Sequence, residues 1–327
     1  TCRLSWGATA IMDHGVCNRM QLGYDYEHTT AGCESICGIC FRPGKSRHWC
    51  LLPGGSFLPW QDAWFGDMLR ASDPGSCVIG GLILESVMSK IAERIEQVQS
   101  NISSACDRAG RDQSEVKLVI VTKSVGFEEI REVIGLGFRD LGENRVQQLK
   151  KVAGQVEQQA ESGGPDAEPM RSVNWHMIGH LQRNKVRQVL PIASLIHSVD
   201  TLRLAEELNT AGGKLGLRPR VLLQVNVSKE PQKYGVPVGA VTHLAEQIET
   251  LPHLEVCGLM TMAPLTHRKD VVRACFVRAR EIFMEMRGER IVGPQFTELS
   301  MGMSSDYEIA VEEGATILRI GSAIFAG

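Results

Sequence analysis

The chain has 327 residues, 43% of them hydrophobic, enough to bury a full core, and a barrel of about 250 residues would fit inside it as one domain. A formal net charge of −3 and a pI near 6.3 give no electrostatic ground for a nucleic-acid or anionic-membrane partner, which leaves small molecules. No apolar run approaches the roughly 20 residues that cross a bilayer, and the first residues lack the basic-then-apolar order of a secretory signal, so a cytoplasmic protein is expected.

Seven of the ten cysteines (Cys2, Cys17, Cys33, Cys37, Cys40, Cys50, Cys77) and four of the five tryptophans precede Met88, with no sustained apolar period of 3.6 or 2.0. Residues 1–87 are therefore expected to form an irregular Cys/Trp/Gly-rich leader, disordered and unrelated to the rest of the chain. Cys33, Cys37 and Cys40 have the C-x3-C-x2-C spacing that resembles the cluster-binding motif of radical S-adenosylmethionine enzymes. Such a motif needs a loop on a barrel strand, whereas the flanks at 28–31 and 42–47 are polar and irregular. A zinc knuckle adding Cys50 or His48 matches no standard ribbon spacing, so no metal is expected. The chain begins with Thr1, and the leader reads as sequence upstream of a natural start at Met88.

From Met88 the pattern changes. Ile91, Ile95, Val98 and Ile102 recur at helical spacing in a stretch ending near Gly110, which predicts an opening helix. Short apolar runs come next at Lys117–Thr122, Phe138–Leu141, Trp175–Ile178, Leu195–Val199, Val221–Val227, Val256–Met262, Thr297–Met301 and Ile317–Ile320. Helical patterns lie between them, as at Phe127–Leu136, Leu202–Asn209 and Val271–Met286. Eight strands alternating with helices predict an α/β fold, a (β/α)8 TIM barrel over residues 88–327, in preference to a doubly wound open sheet.

In such a barrel the working residues come from the C-terminal ends of strands. Lys123 ends the first run, KLVIVTK, where desolvation would lower its pKa and free the amine to form an imine with an aldehyde; the bland alternative is a solvated lysine at a strand end. After the seventh and eighth runs, SMGMSSDYE and RIGSAIF look like phosphate binders. Gly302 and Gly321 permit close backbone approach, Ser304 and Ser322 supply hydroxyls, and a helix expected to begin near Ser304 or Ser305 would point its positive end at an anion. Ser304 or Ser305 could also simply cap that helix. Arg319, two residues before Gly321, can face inward and keep a pyridine nitrogen unprotonated. Lysine, phosphate loops and arginine make a coherent site for pyridoxal 5′-phosphate (PLP).

The segments VTKS around Lys123, LGENRVQ at 141–147, WHMIGHLQRNK at 175–185, VNVSKEPQKYGV at 225–236, GLMTMAP at 258–264 and the SMGMSSDYEIAVEEGATILRIGSAIF ending resemble the YggS/PROSC family of PLP-binding, PLP homeostasis proteins. The resemblance covers essentially all of residues 88–327. It implies a fold-type III barrel similar to the N-terminal domain of alanine racemase, with Lys123 as imine partner and Arg319 near the pyridine nitrogen. Ser304, Gly321 and Ser322 would surround the phosphate, Asn144 would lie near the ring, and Met260 and Met301 would pack close by, although both suit barrel core equally well. His176 and His180, four apart, invite a metal reading, but no acidic or thiolate third ligand accompanies them; structural or cofactor-edge roles are expected. Arg145 stands where the family usually has Tyr, and the ending IFAG replaces IFG with further sequence, both beside the expected site.

Two functions are weighed. A carrier would hold PLP on Lys123, take part in PLP homeostasis and supply apo PLP-dependent enzymes, as a monomer without strong catalysis of its own. A racemase-like enzyme would need an acid/base group on the opposite face of the substrate imine. Racemases with this barrel take that group from a second β domain and a partner subunit, and here the barrel is expected to run to the last residue, which favours the carrier. A radical enzyme using Cys33, Cys37 and Cys40 is not expected.

Overall fold

The computed structural model describes residues 89–326 apart from 165, 166 and 231, together with short antiparallel strand pairings between Cys2 and Ile83. The chain divides into two units, Thr1–Val87 and Met88–Gly327. The iron–sulfur and zinc readings, and the expectation of disorder in residues 1–87, lie outside the described residues.

In the second unit, helix α1 (Lys90–Ala109) buries Ile95, Val98, Ile102, Ala105 and Cys106 along one stripe. Ser89 Oγ accepts the Ala92 N–H at its start, and Gly110 in the left-handed conformation ends it. Eight barrel strands succeed it, besides the two-residue strand Val236–Pro237 that pairs alongside the fifth: β1 (Lys117–Val121), β2 (Asp140–Glu143), β3 (Asn174–Met177), β4 (Ala193–Val199), β5 (Arg220–Asn226), β6 (Glu255–Met260), β7 (Glu298–Ser300) and β8 (Ile317–Ile320). Each pairs in parallel with the next, and β8 returns to β1, with Ile317 opposite Lys117 and Arg319 opposite Val119. The sheet is a closed barrel, the architecture expected from the alternation of runs.

Between strands lie α2 (Phe127–Gly135), α3 (Val146–Glu161), α4 (Val186–Val189), α5 (Leu202–Leu215), α6 (Val241–Glu249), α7 (Lys269–Gly288) and α8 (Tyr307–Glu312), with α9 (Ser322–Phe325) after β8. Alternate strand residues face outward into the large core shared with these helices, among them Ile120, Leu141, Trp175, Leu223, Leu259 and Leu318. A small second core, Val119, Leu195, Leu222, Cys257, Met260 and Ile317, packs separately from it and marks the inward face. Among the described residues, no helix is long and apolar enough to cross a membrane.

Candidate cofactor site at the barrel mouth

Closure of β8 onto β1 makes Lys123 and Gly321 neighbours in the sheet order, each just past the end of its strand. Lys123 lies two residues beyond β1 and is exposed. This corrects the expectation of a desolvated amine: the turn at 123–124 carries the lysine out of the apolar run to the open end of the barrel, where access replaces burial.

On β8, Arg319 faces inward and is only 4% exposed. Nη1 donates to Ser300 Oγ at 2.6 Å and Nη2 to the Thr261 carbonyl at 2.9 Å, which ties β8 to β7 and to the loop after β6. Burial pushes the guanidinium down to about 10, so it remains a cation at neutral pH.

Beyond β8, the Gly321 and Ala323 N–H groups converge on one oxygen, Ser304 Oγ, at 3.3 and 3.1 Å. The two N–H groups thus aim at one point at the first turn of α9, occupied here by the Ser304 hydroxyl oxygen, and an oxyanion at that point would take over both donors. The helix expected near Ser304 or Ser305 instead begins at Tyr307. Asp306 precedes it and uses Oδ1 to accept the Met303 N–H at 2.6 Å, so residues 303–306 form a turn and Ser304 is left to face α9. Gly302 is in the left-handed region at φ 92°, and a Cβ there would stand 2.5 Å from Ala310 Cβ. Ser322 is exposed at the start of α9.

Asn144, half-buried, comes directly after β2. Its carbonyl would lie 2.1 Å from a Cβ at Gly179, so the loops after β2 and β3 meet only because residue 179 is glycine. Arg145 beside it is exposed. Met260 is buried in the small core and Met301 in the large one.

The two histidines go separate ways. His180 stacks on Tyr234 with ring centroids 4.1 Å apart, has Asp200 at 3.6 Å, and helps line a rim cavity of about 510 Å³ with Arg183 and Arg203. His176 lies inside the barrel, its Nε2 3.0 Å from Asp140 Oδ1 and its Nδ1 3.0 Å from His197 Nε2. His197 Nδ1 in turn is 3.0 Å from Ser300 Oγ, the same atom that Arg319 bonds. Burial above all, with the Arg319 and Lys117 cations adding to it, holds His197 well below the usual imidazole range. Burial raises the Asp140 carboxyl, but the bond from His176, the nearby Lys117 cation and the bond from Asn174 together outweigh it, leaving the group below the usual carboxylate range. Asp140, His197, Ser300 and Thr261 were not legible as site residues. The one signal of Asp140, His197 and Ser300 is a polar side chain at inward parity in a strand, as in Leu195-Ile-His197, whereas Thr261 takes part through its carbonyl and left none.

Glu143 also ends β2 buried, with Oε1 accepting from Thr122 Oγ1 at 2.6 Å and Oε2 without a partner among the described residues. Burial raises its carboxyl.

Residues 94–327 match the family described as alanine racemase, N-terminal domain. The pyridoxal phosphate homeostasis protein of Aquifex aeolicus (strain VF5) is 40% identical over 234 residues, 71% of this chain and 96% of that protein. The protein of the same name in Pseudomonas aeruginosa is 38% identical over 239 residues, 73% of this chain and 96% of its own. Among solved structures, PipY of Synechococcus elongatus PCC7942 with PLP bound is similar at a TM-score of 0.60 and 33% identity, covering 72% of this chain and 100% of that one.

Proposed function

The chain belongs to the family of pyridoxal phosphate homeostasis proteins, and on that premise we propose that it holds one PLP molecule at the barrel mouth and serves PLP homeostasis. The observation that carries the reading is the convergence of the Gly321 and Ala323 N–H groups with Ser304 Oγ, on the strand that places Arg319 inward and adjoins the strand ending at Lys123. These residues fit the group: an anion cradle for the phosphate, an accessible amine past the neighbouring strand for the aldehyde, and a buried cation for the ring nitrogen.

When bound, the cofactor supplies an aldehyde for covalent capture by an amine. Lys123 is the amine in this reading; Gly321, Ser322 and Ser304 hold the phosphate, Arg319 faces the ring nitrogen, and Asn144 and Met260 border the ring, with Met301 supporting β7 from behind. The exposure of Lys123 suits reversible capture and release. The same reading assigns the barrel from Met88 as the working part, cytoplasmic and monomeric, with apo PLP-dependent enzymes as recipients and residues 1–87 taking no part in the site.

Absorbance before and after adding PLP, then borohydride reduction and mass spectrometry, tests the assignment. A PLP-dependent band and a pyridoxyl adduct on Lys123 are expected. An adduct on another lysine, or no band with PLP in excess, overturns it.

A further inference from the structure

Five side chains from five strands form one unbroken line of hydrogen bonds through the barrel: Arg319 on β8, Ser300 on β7, His197 on β4, His176 on β3 and Asp140 on β2. Ser300 and His197 are 0% exposed and His176 2%, so solvent cannot substitute for any inner member.

A cation at one end and a carboxylate at the other favour one order of protons along the line. A guanidinium can only donate, so Ser300 Oγ accepts from Arg319, and its single proton goes to His197 Nδ1. His197 must then carry its own proton on Nε2 and give it to His176 Nδ1. His176 carries its proton on Nε2 and gives it to the Asp140 carboxylate. Each member is satisfied, both imidazoles are neutral, and the bonds run in one direction from cation to anion. The reverse order would leave the buried Ser300 proton unpaired and need a proton on both nitrogens of His176.

We propose that Ser300, His197 and His176 are positioning residues that act through Arg319 on the ring nitrogen of bound PLP, with Asp140 anchoring the far end of the line. The proposal rests on the PLP reading of the site. With Nη1 committed to Ser300 and Nη2 to Thr261, the plane of the guanidinium is set, and each bond of the line polarises the next. A cation held this way keeps its protons, and a ring nitrogen facing it stays unprotonated. The residues of the line thereby suppress the electron-withdrawing form of the ring that strong catalysis needs, which suits a protein that stores the cofactor.

Imidazole ¹⁵N NMR of the cofactor-free protein reads the line without any substitution. Neutral His176 and His197, each protonated on Nε2 at pH 7, are expected; a proton on His197 Nδ1 or a doubly protonated His176 overturns the proposal. With ¹⁵N-labelled PLP bound, the ring-nitrogen shift should remain that of unprotonated pyridine in the unmodified protein, in Ser300→Thr, and in His197→Gln, whose amide accepts and donates in the same order. In Ser300→Ala and His197→Leu the shift should move toward the protonated value. An unchanged shift in both of these makes the line structural only and overturns the proposal. Failure of the unmodified protein to take up PLP overturns it by a separate route, through the cofactor reading, with the tautomers still as derived.

Discussion

Lys123 is exposed just past β1, and among the described residues no hydrogen bond or ion pair engages its amine. Its removal should therefore cost the fold little, since exposed substitutions away from special features fall within about 0.5 kcal/mol. Lys123→Ala is expected to unfold at the temperature of the parent while losing the borohydride-reducible linkage. Thermal melts alongside adduct mapping check both halves. Asp140 behaves differently, because its carboxyl is held below its unfolded value by His176. A group depressed in the folded state contributes stability that is present above the unfolded carboxylate pKa, about 3.9, and lost as pH falls through the folded value. Asp140→Asn should thus lower stability at pH 6, and the gap from the parent should narrow as denaturation is repeated toward pH 3. A constant gap would mean that the carboxylate charge contributes nothing through this bond.

At the scale of elements, the turn from β7 to α8 shows how local chemistry shapes the anion cradle. Gly302 combines φ 92° with a Cβ position 2.5 Å from Ala310. Backbone strain and overpacking of about 1–3 kcal/mol each make Gly302→Ala destabilising by at least about 2 kcal/mol, with weaker PLP retention; chemical denaturation and a PLP release assay measure the two effects. Helix α8 is held from outside by ion pairs: Glu312 bonds Arg108 at 2.7 Å and also Arg273, and Glu313 bonds Arg273 at 2.6 Å and Arg280 at 2.9 Å. The arginine partners are more than 40% exposed, so salt screens them. Glu312→Gln should lower the melting temperature in dilute buffer, and the difference should shrink in 1 M salt without vanishing, because Glu312 itself is only 18% exposed. The elements themselves were largely legible from apolar periodicity. The second strand is the instructive departure: the run at Phe138–Leu141 predicted it, yet β2 spans Asp140–Glu143. Phe138 instead packs as a half-buried anchor against the core, after Gly137 turns the chain out of α2. The strand then continues into Gly142 and the buried Glu143, residues that no propensity favours in a strand.

For the molecule as a whole, the barrel closes through its own strands, and the family match begins at residue 94. A chain beginning at Met88 is therefore expected to fold and to bind PLP as tightly as the full chain; equilibrium dialysis of the two side by side would reveal any contribution from residues 1–87. By itself the sequence determined the order of strands and helices, the closure class, the placing of Lys123 and the Ser304 and Gly321 loops past strand ends, and the inward position of Arg319 on the last strand. Those features depend on periodicity and on short segments whose chemistry is local. Only the tertiary structure decided the line from Arg319 to Asp140. Ser300 and His197 are 103 residues apart, and nothing in either segment records the other. They meet because alternate residues of every strand point to a common axis, so the closing of the sheet converts five separate inward positions into neighbours. An arginine buried there must find partners, and it is the geometry of the closed barrel that chooses them.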